Sequence, residues 1–257
     1  MTWTLSINGT DLSGLTPPIL LNGIPPWDDS PVSSRVSQTA AGRTLGVRSR
    51  LDTVGPRALT IPLLINAFNP TDKQAGLDWI KQWVRQEITF RRDDGTTARE
   101  LIATVLNSPW SPIAVPGGTA MAGGLVLDGE NPLWRATSDT TTSGIGSSPV
   151  TLALGNAPSE GYALDITVSG GSDPRTITVT IVSGGVTYVC TWTGTIGGNT
   201  LHVNATLSTV LNNVTNAISA WVGGFPPLDS SGGGCTMAVS SSSGTATATL
   251  THRKQYF

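Results

Sequence analysis

Two periods of apolar spacing organise the first half of this chain. From Ala58 to Ala67, ALTIPLLINA puts Leu59, Ile61, Leu63 and Ile65 on one face, a period of two that predicts a strand. Pro62 falls on the opposite face and has no N–H to give a ladder, so the strand is expected at a sheet edge or with a bulge there. The period then lengthens. Over Thr71–Gln86, Leu77, Ile80 and Val84 share a helical face flanked by Trp79 and Trp83, while Lys73, Asp78, Lys81 and Arg85 look outward. Thr71 and Gln74 form a capping-box pair just after Pro70. This helix is expected to cover an open sheet. Glu87–Arg91, the turn Asp93-Asp94-Gly95 and Thr97–Leu106 then read as a β-hairpin with an acidic tip. Leu125–Leu127 begins a further strand running towards Pro132-Leu133-Trp134. Gly42–Val54 has no buried-face alternation; it reads as a projecting arm or long hairpin, or else as a solvated loop.

The second half alternates at period two throughout. Leu164, Ile166 and Val168 alternate with Asp165, Thr167 and Ser169; Ile177, Val179 and Ile181 alternate with threonines. Tyr188, Cys190 and Trp192 share a face, Leu201, Val203 and Ala205 continue the series, and Ala246–Thr251 supplies a last strand. Turn signals at Gly170-Gly171, Gly184-Gly185, Gly197-Gly198-Asn199 and Gly232-Gly233-Gly234 separate them, a spacing that points to a β-sandwich. Leu207–Val222 leaves two readings open. Its apolar positions fit a helix, but its Asn, Ser, Thr and Val content and the Asn212-Asn213 pair favour a hairpin.

Charge changes abruptly between the halves. Met1–Arg135 carries 12 Lys+Arg and 12 Asp+Glu, and the remainder carries 3 and 5. With the stretch SDTTTSGIGSS, which has no apolar period, this predicts a first domain over 1–136, a linker over 137–149 and a second domain over 150–257. The overall expectation is a mainly β protein: an α+β first domain with one helix on a sheet or barrel, then a β-sandwich. No basic block supports nucleic-acid recognition. Charged residues make up 12% of the chain, which favours a surface largely covered in an assembly. No apolar run approaches the length of a membrane span, and the first residues lack the pattern of a secretory signal, so folding in a cytoplasm is expected. Cys190 and Cys235 are then expected to be reduced, buried thiols.

Candidate chemistry is sparse. His202 and His252 both sit in strand contexts and are expected to face solvent. No Cys-x-x-Cys or His-x-x-x-His spacing suggests zinc, so no metal or other cofactor is expected. Asp28-Asp29 and Asp93-Asp94 flank turns, where Asp is favoured for backbone reasons. Enzyme activity therefore has little support. Tyr188 and Trp192 share a face with Cys190, which argues for a buried stripe over a sugar-stacking platform.

The order of elements resembles that of the siphophage distal tail proteins, the hub subunits at the tip of long non-contractile tails. The residues that carry the resemblance are ALTIPLLINA, TDKQAGLDWIKQWVRQ, ITFRR, DDG, TARELIATVL and GGLVLDGENPLWRA in the first half. In the second half they are Gly155-Asn156, ALDITVSG, TWTGTIGGNTLHVNA, FPPLDSSGGG and RKQYF. Each motif is weak alone, and the order carries the weight. The resemblance implies a tail-tube-like first domain and a galectin-like second domain. It also implies a homohexameric ring in the virion, joining the tail tube protein to tail-tip or baseplate hub proteins, with DNA crossing its channel in transit. The segment holding Arg43, Arg48, Arg50 and Arg57 is the candidate inter-subunit or inter-ring arm. Two other readings remain: a tail-tube subunit with an added sandwich, and a carbohydrate-binding module contacting host glycans. The last requires solvent-facing aromatics or a polar cluster on one sheet.

Overall fold

The structure, a computed structural model, describes residues 3–23, 57–115, 118–129, 133–159 and 161–256. Two compact units divide the chain, Met1–Trp134 with Phe257, and Arg135–Tyr256. Both are built mainly of strands.

The strands of the first unit are β1 (Thr4–Ile7), β2 (Thr10–Asp11), β3 (Ile19–Leu21), β4 (Arg57–Ile65), β5 (Glu87–Asp93), β6 (Ala98–Asn107), β7 (Trp110–Val115) and β8 (Gly118–Gly129). They run in the antiparallel order β2-β1-β5-β6-β8-β4-β3, with β7 also paired to β8. Leu59, Ile61, Leu63 and Ile65 are all buried, as the period-two pattern of β4 requires. The edge expected from Pro62 is displaced by one strand. β4 is internal, between β8 and β3, and β3 gives out at Leu21 opposite Leu63. Asn22 N donates to Pro62 O at 2.9 Å, so the donor that Pro62 lacks would have pointed at the frayed end of β3, where its loss costs least.

The helix α1 spans Pro70–Lys81, starting one residue earlier and ending five earlier than the apolar period suggests. Its cap is Asn69, whose side chain accepts from Asp72 N at 2.8 Å, with Pro70 in the first turn; Gln74 bonds to Asp78 instead of closing a capping box. The helix stops because the chain turns to join the sheet. Arg85 takes a left-handed φ of 66° and donates its N–H to Val105 O at 2.7 Å. Ile80 is buried, and Gly76 lies so close to Ile65 that a Cβ would stand 2.8 Å from it. The hairpin of β5 and β6 forms as expected, with Asp93 opposite Ala98. Arg92 is buried with its guanidinium carbon 4.5 Å from the Trp134 ring centre and 5.4 Å from that of Trp3. Planar cation and aromatic faces are attractive at that separation.

The strand β9 (Trp134–Ala136) begins on Trp134, the end of the first unit's main stretch, and in the second unit β10 (Thr140–Ile145), β11 (Val150–Thr151), β12 (Tyr162–Ser169), β13 (Arg175–Ser183), β14 (Val186–Gly194), β15 (Leu201–Asn204), β16 (Thr209–Asn212), β17 (Thr215–Asn216), β18 (Trp221–Val222), β19 (Thr236–Ser241), β20 (Thr245–His252) and β21 (Gln255–Tyr256) follow in order. A six-stranded sheet, β10-β20-β12-β15-β16-β17, and a five-stranded sheet, β11-β19-β13-β14-β18, share one core. Leu164, Ile166 and Leu250 from one meet Ile177, Val179 and Val239 from the other in that core, with Cys190 and Trp192. The expected linker over 137–149 is not free chain. Its residues Thr140–Ile145 pair with β20 and Ile145 is fully buried, so polar alternation conceals an edge strand anchored by one apolar residue. Leu207–Val222 resolves as a hairpin: β16 and β17 pair across Asn213, which takes a φ of 56°, and a short 3-10 turn, Ile218–Ala220, leads into β18.

Candidate functional site

Arg43, Arg48 and Arg50 lie outside the described residues, as does the rest of 24–56. Arg57 is the first residue of β4, opposite Gly129 of β8.

The ionisable groups expected to be bland have structural work. Asp93 accepts from Gly95 N and Arg91, and Asp94 from Thr96 N and Thr97 N; backbone hydrogen bonds first, then for Asp93 the Arg91 guanidinium, hold both carboxyls below the usual range. Cys190 and Cys235 are free thiols buried in the sandwich core, and burial pushes both up, away from the reactive thiolate. Among the described residues no group of three or more His, Cys, Asp or Glu could hold a metal ion, and no helix is long and apolar enough to cross a membrane.

The two histidines differ. His202 lies on the outward face of β15 and donates Nδ1–H to Asp165 at 2.7 Å, with both side chains about half exposed. His252 corrects the expectation of a solvent-facing ring, being only 2% exposed on the inward face of β20. Its Nε2 donates to Ala153 O at 3.3 Å, Nδ1 has no partner, and burial lowers its pKa. The parity of TATATLTH, with Ala246, Ala248 and Leu250 inward, places residue 252 inside too, so the signal was present in the sequence.

The outward face of the six-stranded sheet is mostly polar, with Ala163 of β12 and Leu211 of β16, opposite His202, as its apolar members. Thr245, Thr247, Thr249 and Thr251 alternate outward along β20, opposite Ser169, Thr167, Asp165 and Ala163 of β12. Asn204 of β15 stands opposite Ala163, and His202 opposite Asp165. The hydroxyls of Thr167 and Thr247 are 3.1 Å apart, and Thr249 donates to Ser143 at 3.5 Å. At one end of this face the surface sinks into a groove of about 320 Å³ whose lining includes Asp139, Asn204, Thr206, Thr251, Arg253 and Gln255. Asp139 accepts from Arg253 Nε at 2.7 Å on its rim. The outer face of the five-stranded sheet is different in kind. Thr178, Thr180 and Val182 of β13 share it with Thr187, Val189 and Thr191 of β14, Val222 of β18 and Ala238 of β19, with no ionisable residue in the set. Val189 and Val222 are among its most exposed members.

No protein-family model matches the chain, and no curated protein matches it in sequence. Solved structures do. The crystal structure of the SPP1 Dit (gp 19.1) protein, described as a paradigm of the hub adsorption apparatus in phages infecting Gram-positive hosts, superposes with a TM-score of 0.65 at 12% identity, covering 100% of both chains. The phage P2 baseplate in its activated conformation with Ca is also similar, with a TM-score of 0.44 at 9% identity over 99% of this chain and 98% of that one. The described residues thus share the fold of the SPP1 Dit (gp 19.1) protein.

Proposed function

We propose that this protein is a structural subunit of a bacteriophage tail tip, a distal tail protein that closes into a homohexameric ring between the tail tube and the baseplate. The full-length superposition on a hub adsorption protein, both units included, carries the reading. The scarcity of charge, 12% of residues, agrees with a surface covered by neighbouring subunits. A ring of identical subunits uses two different patches per subunit, and rotation closes it. In that assembly the first unit lines a channel through which DNA passes in transit. The Arg43–Arg57 segment serves as the contact with a neighbouring subunit or ring. Tail tube and hub proteins are the other partners, and the role is mechanical, without catalysis. Synthesis in the host cytoplasm and residence in the virion tail follow from the same reading.

Light scattering with negative-stain imaging of the purified protein tests this. Closed rings of about six subunits, single or stacked face to face, are the expected result. Open tubes would assign the chain to the tail-tube subunits instead, and a protein that stays monomeric at high concentration would remove the ring. Charge reversal at Arg48 and Arg50 together is expected to lower the ring fraction without changing the circular dichroism spectrum. Rings that persist unchanged would take the segment out of the interface.

A further inference from the structure

Two Asn-Gly steps occur in the sequence, Asn8-Gly9 and Asn22-Gly23, and the fold treats them oppositely. We propose that Asn22 is a site of spontaneous covalent modification, closing on the Gly23 nitrogen and reopening to aspartate and isoaspartate, while Asn8 is protected. Water is the only co-reactant. The Gly23 nitrogen loses its proton to solvent base and attacks the side-chain carbonyl carbon of Asn22. A C–N bond forms, the Cγ–Nδ2 bond breaks, and the amide nitrogen departs as ammonia. Water then opens the five-membered imide. Breaking the new bond gives aspartate; breaking the original bond between the Asn22 main-chain carbonyl carbon and the Gly23 nitrogen gives isoaspartate. Nothing is oxidised or reduced.

Ring closure has three requirements. The side-chain carbon must reach the next nitrogen, to about 3–3.5 Å; that N–H must be unbonded; and nothing may crowd the ring. Glycine meets the last at both steps. Among the described residues a Cβ built on Gly9 would meet nothing within 4 Å, and one on Gly23 would meet Pro62 Cγ no closer than 3.8 Å. Both asparagines are exposed. What separates them is the partner of the side chain. Asn8 continues the β1–β5 ladder past Ile7: its N–H donates to Thr89 O at 2.9 Å, and its Oδ1 accepts from Thr89 N at 2.8 Å. The second bond must break before the Asn8 Cγ can turn to Gly9. Asn22 is held by its backbone alone, its N–H donating to Pro62 O at 2.9 Å. Among the described residues neither its side chain nor the Gly23 N–H has a hydrogen-bond partner.

The change is one-way. It sets a carboxylate directly after β3, and the isoaspartate form lengthens the main chain by one carbon between Leu21 and Gly23, at the contact with Pro62. This proposal goes beyond the tail-tip reading and does not depend on it.

The test incubates the full chain in mildly alkaline heavy-oxygen water, folded and in denaturant, and follows both steps by tandem mass spectrometry, so that only acid formed during incubation carries label. In the folded chain Asn22 should convert about fivefold or more faster than Asn8, the factor that one hydrogen bond supplies. In denaturant the two rates should converge. Isoaspartate should accompany aspartate at Asn22. Asn22→Gln, whose ring would need six members, should remove the product there over the same interval and leave Asn8 unchanged. Equal rates in the folded chain, a faster Asn8, or no conversion at Asn22 while the denatured chain converts would overturn the proposal. Aspartate without isoaspartate would also overturn it, since direct hydrolysis would then replace ring closure.

Discussion

His252 shows how much one buried ring can decide. With Nε2–H donated to Ala153 O, its Nδ1 carries a lone pair sealed from water without a donor. A proton there would be a buried charge with Asp139 as a distant counter-charge and Lys254 opposing it, so the folded chain takes it up only below the ordinary value of 6.5. The unfolded chain takes it up near that value. Through the window beneath 6.5 the unfolded state therefore binds more protons, and stability, complete above that pH, falls as pH drops towards the folded pKa. Thermal melts across this window should show a slope that His252→Phe reduces; an unchanged slope would place the titration elsewhere. His202 offers the contrast. The same residue type on an outward position becomes a donor to Asp165, and strand parity alone separates the two fates.

At the scale of elements, close approach sets the limits. Gly123 of β8 faces Trp110 of β7, and a Cβ there would lie 2.2 Å from Pro109 O and 2.6 Å from the indole. That indole donates to Ser108 Oγ at 2.7 Å, which donates to Gly124 O at 3.1 Å. Gly123→Ala should cost about 1–3 kcal/mol in denaturant unfolding, because backbone must shift to admit the methyl. Ile80→Ala, which empties the point where α1 meets the sheet, should cost about 2–5 kcal/mol. The sequence made β4, β5, β6, β12, β13, β14, β15 and β20 readable because each alternates over a buried face. It concealed β7 and the start of β8, where WSPIAV lies largely exposed and GTAMAGG has almost no apolar contrast. It also concealed β10 and β19, although Met237 and Val239 carry the period in the latter. The polar face was legible only in fragments. Asp165, His202 and Thr249 come from three strands, and antiparallel register alone makes them neighbours.

For the whole molecule, two units with separate cores predict unfolding that is not a single transition. Calorimetry should resolve two components. Val179→Ala, in the sandwich core, should lower one, and Ile80→Ala the other; a single component displaced equally by both would make the units one cooperative block. The chain also holds its own reporter for this. Its only two cysteines lie in the second unit, both sealed in the core. A thiol reagent can reach them only when the sandwich opens, so labelling in the native state is a clock for that event and is silent on the first unit. In a mixture, where bulk unfolding methods see every protein at once, those two sulfurs would time the loosening of this sandwich alone.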